Sequence, residues 1–488
     1  MRNLFLAMLA ALISFTQYMD WRFARNNPPS GVPVIYWVTD PNPARVEQVA
    51  LFKAWMKKRG YPEVDLRVDV NNGGLQKTVV QGVTGVAGDC IDAPSLFMSY
   101  LYSIGIILPV TNLAARFGYP DSGLFPAIYN DIVVDGKQVA FPCNIVTSGY
   151  LVNADTFTRV GMEPPPFMMD FETFERIGME FTAKANRGLP RREYFFARSL
   201  DDENMRRSCG VANFNETLTR SAVNRPEWLK VLKLIYRWTY TNRLVPTLAD
   251  IQSFASEHGY GGLEFQLLNK GYFGMVSTGR YAMIQMREMK ARPQWRAVLP
   301  PHGGYPIALA QTRAVVLYAG SPNIEAATYF LGFLRSDEYS MHVVRDSDSL
   351  PPNPKFMDTE EYRRPAGHTN EWAMHEGFRR IAMDYGTTRE MSPFALFRKY
   401  NRIEGLAFSG YMNDLHTAEE AVAMFDQAIN EEVDRYVKSH PEIRARYAKA
   451  LENQKIIDAA KAAGKKIPLA LVDNSFLRRF YQERGLGE

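Results

Sequence analysis

The sequence predicts an α/β protein of two lobes. Three observations carry that prediction. Strand-like and helical segments alternate from Val32 to about residue 95, long helical segments take over from about 150, and strand character returns near 297. The chain goes from one lobe to another and back. A length of 488 residues agrees, being too long for one compact core.

After the polar linker RNNPPSGVP, the run VPVIYWVT is β-branched and aromatic, which suits a strand buried on both faces. ARVEQVALFKAWMKKRG places Val46, Val49, Phe52 and Met56 at helical spacing, with Gly60 as a stop. VDLRVDV is the next strand, LQKTVVQGV the next helix, and GDCIDAPS the third strand, leading into a loop. This order predicts a mostly parallel sheet, and ligands of such sheets sit outside the carboxyl ends of the strands.

DFETFERIGMEFTAKA, PEWLKVLKLIYRWTYTNRL and GGLEFQLLNKG make the following half helix-rich, with Leu229, Leu232, Ile235 and Tyr236 along one face of the second. AVLPPHGG and TRAVVLYAG restore strand character ahead of the helix NIEAATYFLGFLRSDEY. From Thr417, the residues Val422, Phe425, Ile429, Val433 and Tyr436 form the stripe of an amphipathic helix with an acidic start. Beyond Pro441, alternating charges and the loop AAGKKIP predict a helical C-terminal extension packed on a lobe. Between these halves, DGKQVAFPCNIVTSGYLVNADTF opens as a hairpin with a two-residue turn at Asp135-Gly136, flanked by Ile132, Val134, Val139 and Phe141. Its strand then carries a polar middle of Pro142, Asn144, Thr147, Ser148 and Gly149.

Composition excludes several classes. Lys and Arg total 57 against 53 Asp and Glu, and the Arg-Arg pairs at 191, 206, 363, 379 and 478 are scattered, so the basic stripe of a nucleic-acid binder is missing. A hydrophobic fraction of 46% excludes disorder as the main state. Cys90, Cys143 and Cys209 are read as small buried residues, with one disulfide as the alternative. At the N-terminus, Arg2 precedes an apolar stretch from Leu4 to Phe15, shorter than the ~20 residues of a membrane span and within the ~7–15 of a secretory h-region. Residues 1–25 therefore read as a signal peptide or an uncleaved signal anchor, the plain alternative being a buried helix.

The seven histidines show no H-E-x-x-H spacing, and the sequence holds neither a G-x-S-x-G elbow nor a P-loop. No metal or cofactor is expected, and nothing asks for an enzyme.

Several segments in order resemble the extracellular solute-binding proteins of ABC transporters, specifically the carbohydrate-binding, maltose-binding-protein-like family. They are VIYWVT, GDCIDAPS, DGKQVAFPCNIVTSGYLVNADTFTRVGMEPPP, LLNKGYFGMVSTGRYAM, AVLPPHGG, GSPNIEAATYFLGFLRS and TAEEAVAMFDQAINEEV, spread over residues 32 to about 437. The resemblance implies a type II periplasmic-binding-protein-like α/β fold with an interlobe cleft, hinge crossovers and a helical C-terminal extension. Residues 32–143 plus 300–349 would form the N-terminal lobe, 148–299 plus 350–436 the C-terminal lobe, and 437–488 the extension.

It also implies capture of a carbohydrate and its delivery to ABC permease subunits by a monomer at the periplasmic or extracellular face, tethered there if the N-terminal segment stays uncleaved. A sensor or receptor for a non-sugar solute and a secreted carbohydrate-active enzyme are the rivals. Lys184 to Asn224 matches no family segment, the chain runs about fifty residues past the usual end, and Ala87-Gly88 stands where the Gly-Pro-Asp motif is expected.

On the family pattern, Thr39, Asp40 and Asn42 follow the first strand at the cleft rim, and Asp92, Pro94 and Ser95 follow the third. Asp40 also suits a turn before Pro41, and Ser95 a helix N-cap. Tyr281, two residues after Gly279, falls where an aromatic stacks on a sugar ring, beside Ser277, Thr278 and Arg280; the rival role is core packing. Ser392, Pro393 and Phe394 match the cleft wall more loosely, and Trp37 reads as core. In the polar middle, Pro142 should end ladder pairing and Cys143 to Ser148 should cross between lobes. Asn144, Thr147 and Ser148 would then face ligand hydroxyls, and Asn153 would cap the next helix.

Overall fold

The computed structural model describes residues 14–16, 31–118, 125, 128–134, 136–254 and 262–488. The signal-peptide reading falls outside these residues except for Ser14 to Thr16, and so does Asp135 of the hairpin turn. Twelve strands are described. These are β1 (Val34–Val38), β2 (Asp65–Asp69), β3 (Cys90–Pro94), β4 (Val133–Val134), β5 (Lys137–Gln138), β6 (Phe141–Thr147), β7 (Gly149–Asn153), β8 (Phe195–Ala197), β9 (Phe273–Thr278), β10 (Trp295–Val298), β11 (Ala308–Leu317) and β12 (Gly386–Thr387).

They form two main sheets, each the floor of one lobe. The first runs β12-β11-β3-β1-β2, with β6 also paired to β11; the second runs β10-β7-β9-β8. In the first, β1 is parallel to β2 and β3, as the strand-helix alternation requires. The helices Ala44–Lys58 and Ile324–Leu334 cover it, their Phe52, Trp55, Phe330 and Phe333 joining Trp37 in one buried cluster. Trp37 and Phe330 lie 4.8 Å apart, and such pairs add about 0.5–1.5 kcal/mol beyond their burial. The second sheet is mostly antiparallel, with β8 alone parallel to β9. The helix Phe171–Ala185 packs Phe174 and Phe181 against Phe196, and the helix Trp372–Arg380 packs Met374 and Phe378 with Leu151 and Val276.

β6 and β7 are separated only by Ser148, so one extended segment belongs to both sheets. The expectation that Pro142 ends pairing is not met. Pro142 sits opposite Ala314, and the ladder shifts register between Arg313 and Ala314, leaving Cys143 bulged out before pairing resumes at Asn144. The bulge accommodates a residue that has no N–H to donate, so the crossing narrows to Ser148. The chain returns from β10 to β11 and crosses again after the helix Asp337–Asp346, where Ile145 bridges Leu350. Ser347 and Ser349, at φ 62° and 65°, take the left-handed conformation that costs a side-chain-bearing residue about 1–2 kcal/mol, so this crossing stores backbone strain.

The predicted cap forms, Asn153 Oδ1 accepting from Thr156 N at 3.3 Å. All three cysteines are free thiols, Cys90 and Cys143 buried and Cys209 half-buried. Residues 184–224 and 437–488 pack on each other. Buried Glu216 accepts from Gln454 Nε2 at 2.8 Å and from Lys461, and Asn474 Nδ2 donates to Phe214 O at 3.0 Å. Ile457, Val472 and Phe476 of the extension close over Ala212, Tyr305 and Ile307. Among the described residues, no helix is long and apolar enough to cross a membrane.

Candidate binding cleft

Register shows which sheet ends face each other. On β11, Arg313 lies opposite both Pro94 at the end of β3 and Asn144, and β6 continues to Thr147 opposite Ala310 before crossing. The carboxyl ends of β1 and β3 thus point along β6 toward the second lobe. There, Gly149 at the start of β7 pairs with Thr278 at the end of β9, and β8 runs the same way. Strand ends of both sheets therefore converge on Ser148, the geometry in which open α/β sheets bind ligands.

The first-lobe side is a buried ion network. Asp92, 2% exposed, accepts from Trp37 Nε1 at 2.7 Å and from Thr39 Oγ1. Arg45 Nε donates to Asp40 Oδ1 at 3.0 Å and its Nη1 to Asp348 Oδ2 at 2.9 Å. Arg313 Nη1 donates to Asp40 Oδ2 at 2.5 Å, with Asp92 and Asp348 oxygens 3.5 and 3.8 Å away. Burial works against the charge on Arg313, but Asp92, Asp348 and Asp40 hold its pKa well above the ordinary value. Burial likewise opposes the charge on Asp348, and Arg45 and Arg313 overcome it, keeping its carboxyl below the usual range. Several buried polar atoms here have no hydrogen-bond partner, among them Asn42 Nδ2, Asn144 Oδ1 and Arg313 Nε and Nη2.

The second-lobe side comes partly from residues 199–207. Beyond β8, Ser199 O accepts from Tyr150 Oη at 3.0 Å. Asp201 caps the helix Asp202–Arg207, and Arg389 Nε donates to Glu203 Oε1 at 3.0 Å. Carboxylates crowd here. Burial lifts Asp201 to about 6, and burial together with the charge of Asp202 lifts Glu404 to about 8. From the first lobe, Asp131 is lifted by burial to about 7 despite bonds from Thr312 and Ser95 and the charge of Arg389, so the two lobes' charged groups feel one another.

The structure distributes the sequence-predicted residues unevenly. Thr39 and Asp40 are in the ion network; Asn42 is beside it, its Oδ1 accepting from Ala44 N at 2.9 Å. Ser95 is the first residue of the helix Ser95–Ser103, does not cap it, and bonds Asp131. Asn144 donates to Asp348 Oδ1 at 3.2 Å. The Thr147 and Thr278 hydroxyls are buried without partners, whereas Ser148 and Ser277 are half-exposed, Ser148 N bonding Leu309 O at 2.8 Å.

Tyr281 is half-exposed, 6.4 Å from the Phe265 ring. Its ring folds back over Gly279, where a Cβ would come within 3.0 Å of it and 3.3 Å of Val146 on the crossing strand. Gly279 is what lets the ring lie beside the crossover. Arg280 is buried among backbone carbonyls, donating to Ser349 O at 2.8 Å, Val344 O at 2.7 Å and His375 Nδ1 at 2.9 Å. Phe394, 1% exposed, packs edge-on to Tyr447 at 5.0 Å inside the second lobe.

Sequence reasoning missed Arg45, Asp131, Arg313, Asp348 and the run Asp201 to Glu203. Arg313 left a trace as the one charge within the apolar strand TRAVVLY; Arg45 and Asp348 are 303 residues apart and left none.

The chain resembles solved structures at low identity and high coverage. An ABC substrate-binding protein from Listeria monocytogenes in complex with cycloalternan matches at 18% identity and TM-score 0.68, covering 82% of this chain and 98% of its own. The maltose-bound MalE3 of T. maritima matches at 13% and 0.66 over 82% and 100%. An ABC transporter solute-binding protein from Agrobacterium vitis S4 with bound D-mannitol matches at 19% and 0.62 over 83% and 99%. No curated protein matches significantly. The family described as bacterial extracellular solute-binding protein matches residues 50–370, well over half of the sequence, and the chain belongs to that family.

Proposed function

We propose that this protein captures a carbohydrate between its lobes, outside the cytoplasm, and delivers it as a monomer to the permease subunits of an ABC transporter. The observation that carries the reading is the set of unspent polar atoms on Asn42, Asn144 and Arg313 at the strand ends of one lobe, together with the half-exposed Tyr281 ring next to the crossing strand. Sugars present hydroxyls that need donors and acceptors, and apolar C–H faces that rest on aromatic rings. The carbohydrate ligands of the Listeria, T. maritima and Agrobacterium proteins support the same chemistry. Thr39, Asp40, Ser95, Ser148 and Ser277 complete the proposed contact set.

On this reading the lobes are 32–143 plus 300–349 and 148–299 plus 350–436, hinged at Ser148 and at Ser347 to Ser349, and the apolar stretch Leu4 to Phe15 directs export or tethers the protein. Thermal denaturation with a panel of mono- and oligosaccharides tests it. A sugar at a hundred times its Kd should stabilise by about 2.7 kcal/mol, and a flat panel would remove the carbohydrate reading.

A further inference from the structure

We propose that Glu47, His342 and Asp346 form a divalent transition-metal site on the first lobe, apart from the interlobe cleft. His342 and Asp346 are four residues apart on the helix Asp337–Asp346 and share a face; Glu47 faces them from the helix Ala44–Lys58. One ligand atom from each lies within 4.8 Å of the others. His342 Nδ1 is 3.7 Å from Glu47 Oε1, and His342 Nε2 is 2.9 Å from Asp346 Oδ2. Ligands at ~2.0–2.2 Å around a tetrahedral ion are about 3.4 Å apart; Glu47 lies against Nδ1 and Asp346 against Nε2, so the exposed Glu47 side chain must swing to bring all three ligands around Nε2.

A second observation separates this cluster from an ordinary surface ion pair. The His342 side chain is 4% exposed, and its Nε2, despite its closeness to Asp346, makes no hydrogen bond. A buried imidazole nitrogen 2.9 Å from a carboxylate oxygen but not directed at it is spare ligating capacity. Neither carboxylate has another hydrogen bond or ion pair among the described residues, and the Glu47 side chain is 64% exposed and free to turn. A cavity of about 830 Å³ opens onto Glu47, His342 and Asp346 and gives an ion a way in, its four cations Lys58, Arg59, Arg335 and Arg345 matched by Glu47, Asp337, Glu338 and Asp346. One imidazole with two carboxylates suits Zn²⁺, Co²⁺ or Mn²⁺ better than the all-oxygen preference of Mg²⁺.

The position gives the site a consequence. Glu47 is two residues from Arg45, and Asp346 two from Asp348, the pair joined at 2.9 Å in the cleft network. A bound ion would clamp the helix that carries Arg45 to the end of the helix that leads into Asp348.

The test is titration of the chelator-stripped full chain with ZnCl₂, CoCl₂ and MgCl₂, followed by calorimetry and by the visible absorption of Co²⁺. One equivalent of Zn²⁺ and of Co²⁺ should bind at micromolar or better Kd, Mg²⁺ at least a hundredfold more weakly, with a low-symmetry Co²⁺ spectrum. His342→Ala should lose affinity at least thirtyfold. Glu47→Gln, on an exposed side chain that the fold does not need, should lose it at least fivefold, and it keeps the test valid if the buried histidine variant fails to fold. Absence of stoichiometric Zn²⁺ binding, or wild-type binding by Glu47→Gln, would overturn the assignment.

Discussion

Two arginines, Arg280 buried and Arg313 half-buried, flank the interlobe crossover and are used in opposite ways. Arg280 spends its guanidinium on the fold, with Nε on His375 and the two Nη groups on the carbonyls of Val343, Val344 and Ser349. Arg313, its side chain 19% exposed, is ringed by Asp40, Asp92 and Asp348 yet leaves Nε and Nη2 without a hydrogen bond. The first ties the strained crossing to the second lobe and has nothing left for a ligand. The second is held charged and in place with capacity to spare, which is what a binding site needs.

The sharpest contrast is pH. His375, beside Arg280, is pushed down to about 3 by burial and by the Arg280 charge, and Glu371, which burial alone would raise, is pulled to about 2 by bonds from His375 and Arg287. An unfolded histidine takes its proton near 6.5, so between 6.5 and 3 the unfolded chain binds more protons and stability falls with pH. The Glu371 contribution is present above its ordinary 4.5 and is lost toward 2. Together they should remove on the order of 6 kcal/mol by pH 3. The raised cleft carboxylates Asp131, Asp201 and Glu404 have the opposite sign, each costing stability as pH rises through its folded value. In urea unfolding from pH 7 to pH 3, the stability difference between the wild type and His375→Gln should move against the wild type as pH falls below 6.5, whatever the slope set by the raised carboxylates; a difference that stays constant with pH would break the assignment to this cluster.

Arg280→Met should cost about 3–5 kcal/mol of stability while the folded fraction keeps its sugar affinity. Arg313→Met should also cost stability, because Asp40, Asp92 and Asp348 lose a counter-charge, but unlike Arg280→Met it should in addition weaken sugar binding by about 1.5–3 kcal/mol, the value of a hydrogen bond to a charged group. Calorimetric affinities paired with urea midpoints decide between them, and a shared pattern would erase the distinction between spent and spare.

How much of this was legible in sequence follows from the range of the interactions. The strands and helices are local, and periodicity located them: the run at 34–38 and the helix after Thr417 lie where their apolar spacing put them. Arg280 and Arg313 could not be sorted that way, because the difference lies in which carbonyls and carboxylates surround them. Arg280 stands next to Tyr281 in a loop that resembles a sugar contact, yet its partners come from residues 343 to 375. Likewise Pro142 suggested a break, and the bulge that absorbs it depends on β11, some 170 residues away.

Tyr281→Ala should weaken sugar binding by about 1–3 kcal/mol with the fold intact, because the ring is half-exposed and only rests against the edge of the core, tilted to Phe265 at 6.4 Å. Gly279→Ala should reproduce part of that loss, since a methyl group would push the ring from its place over the backbone. A large loss of stability with unaltered affinity would make Tyr281 a core residue like Phe394.

Thr147 carries the same distinction on the smallest scale. Its hydroxyl is buried on the crossing strand with no partner, whereas that of Thr312, on the paired strand, donates to Asn144 O at 3.0 Å. Valine has the same shape without the hydroxyl. Thr312→Val should cost about 1 kcal/mol, leaving a carbonyl unpaired, and Thr147→Val should cost nothing or stabilise slightly, because an unsatisfied group disappears. If the Thr147 hydroxyl is kept for a ligand, the same change should weaken sugar binding about two- to fivefold. Unchanged affinity would mean that the crossing strand serves the hinge and that the contacts come from Asn144, Arg313 and Tyr281.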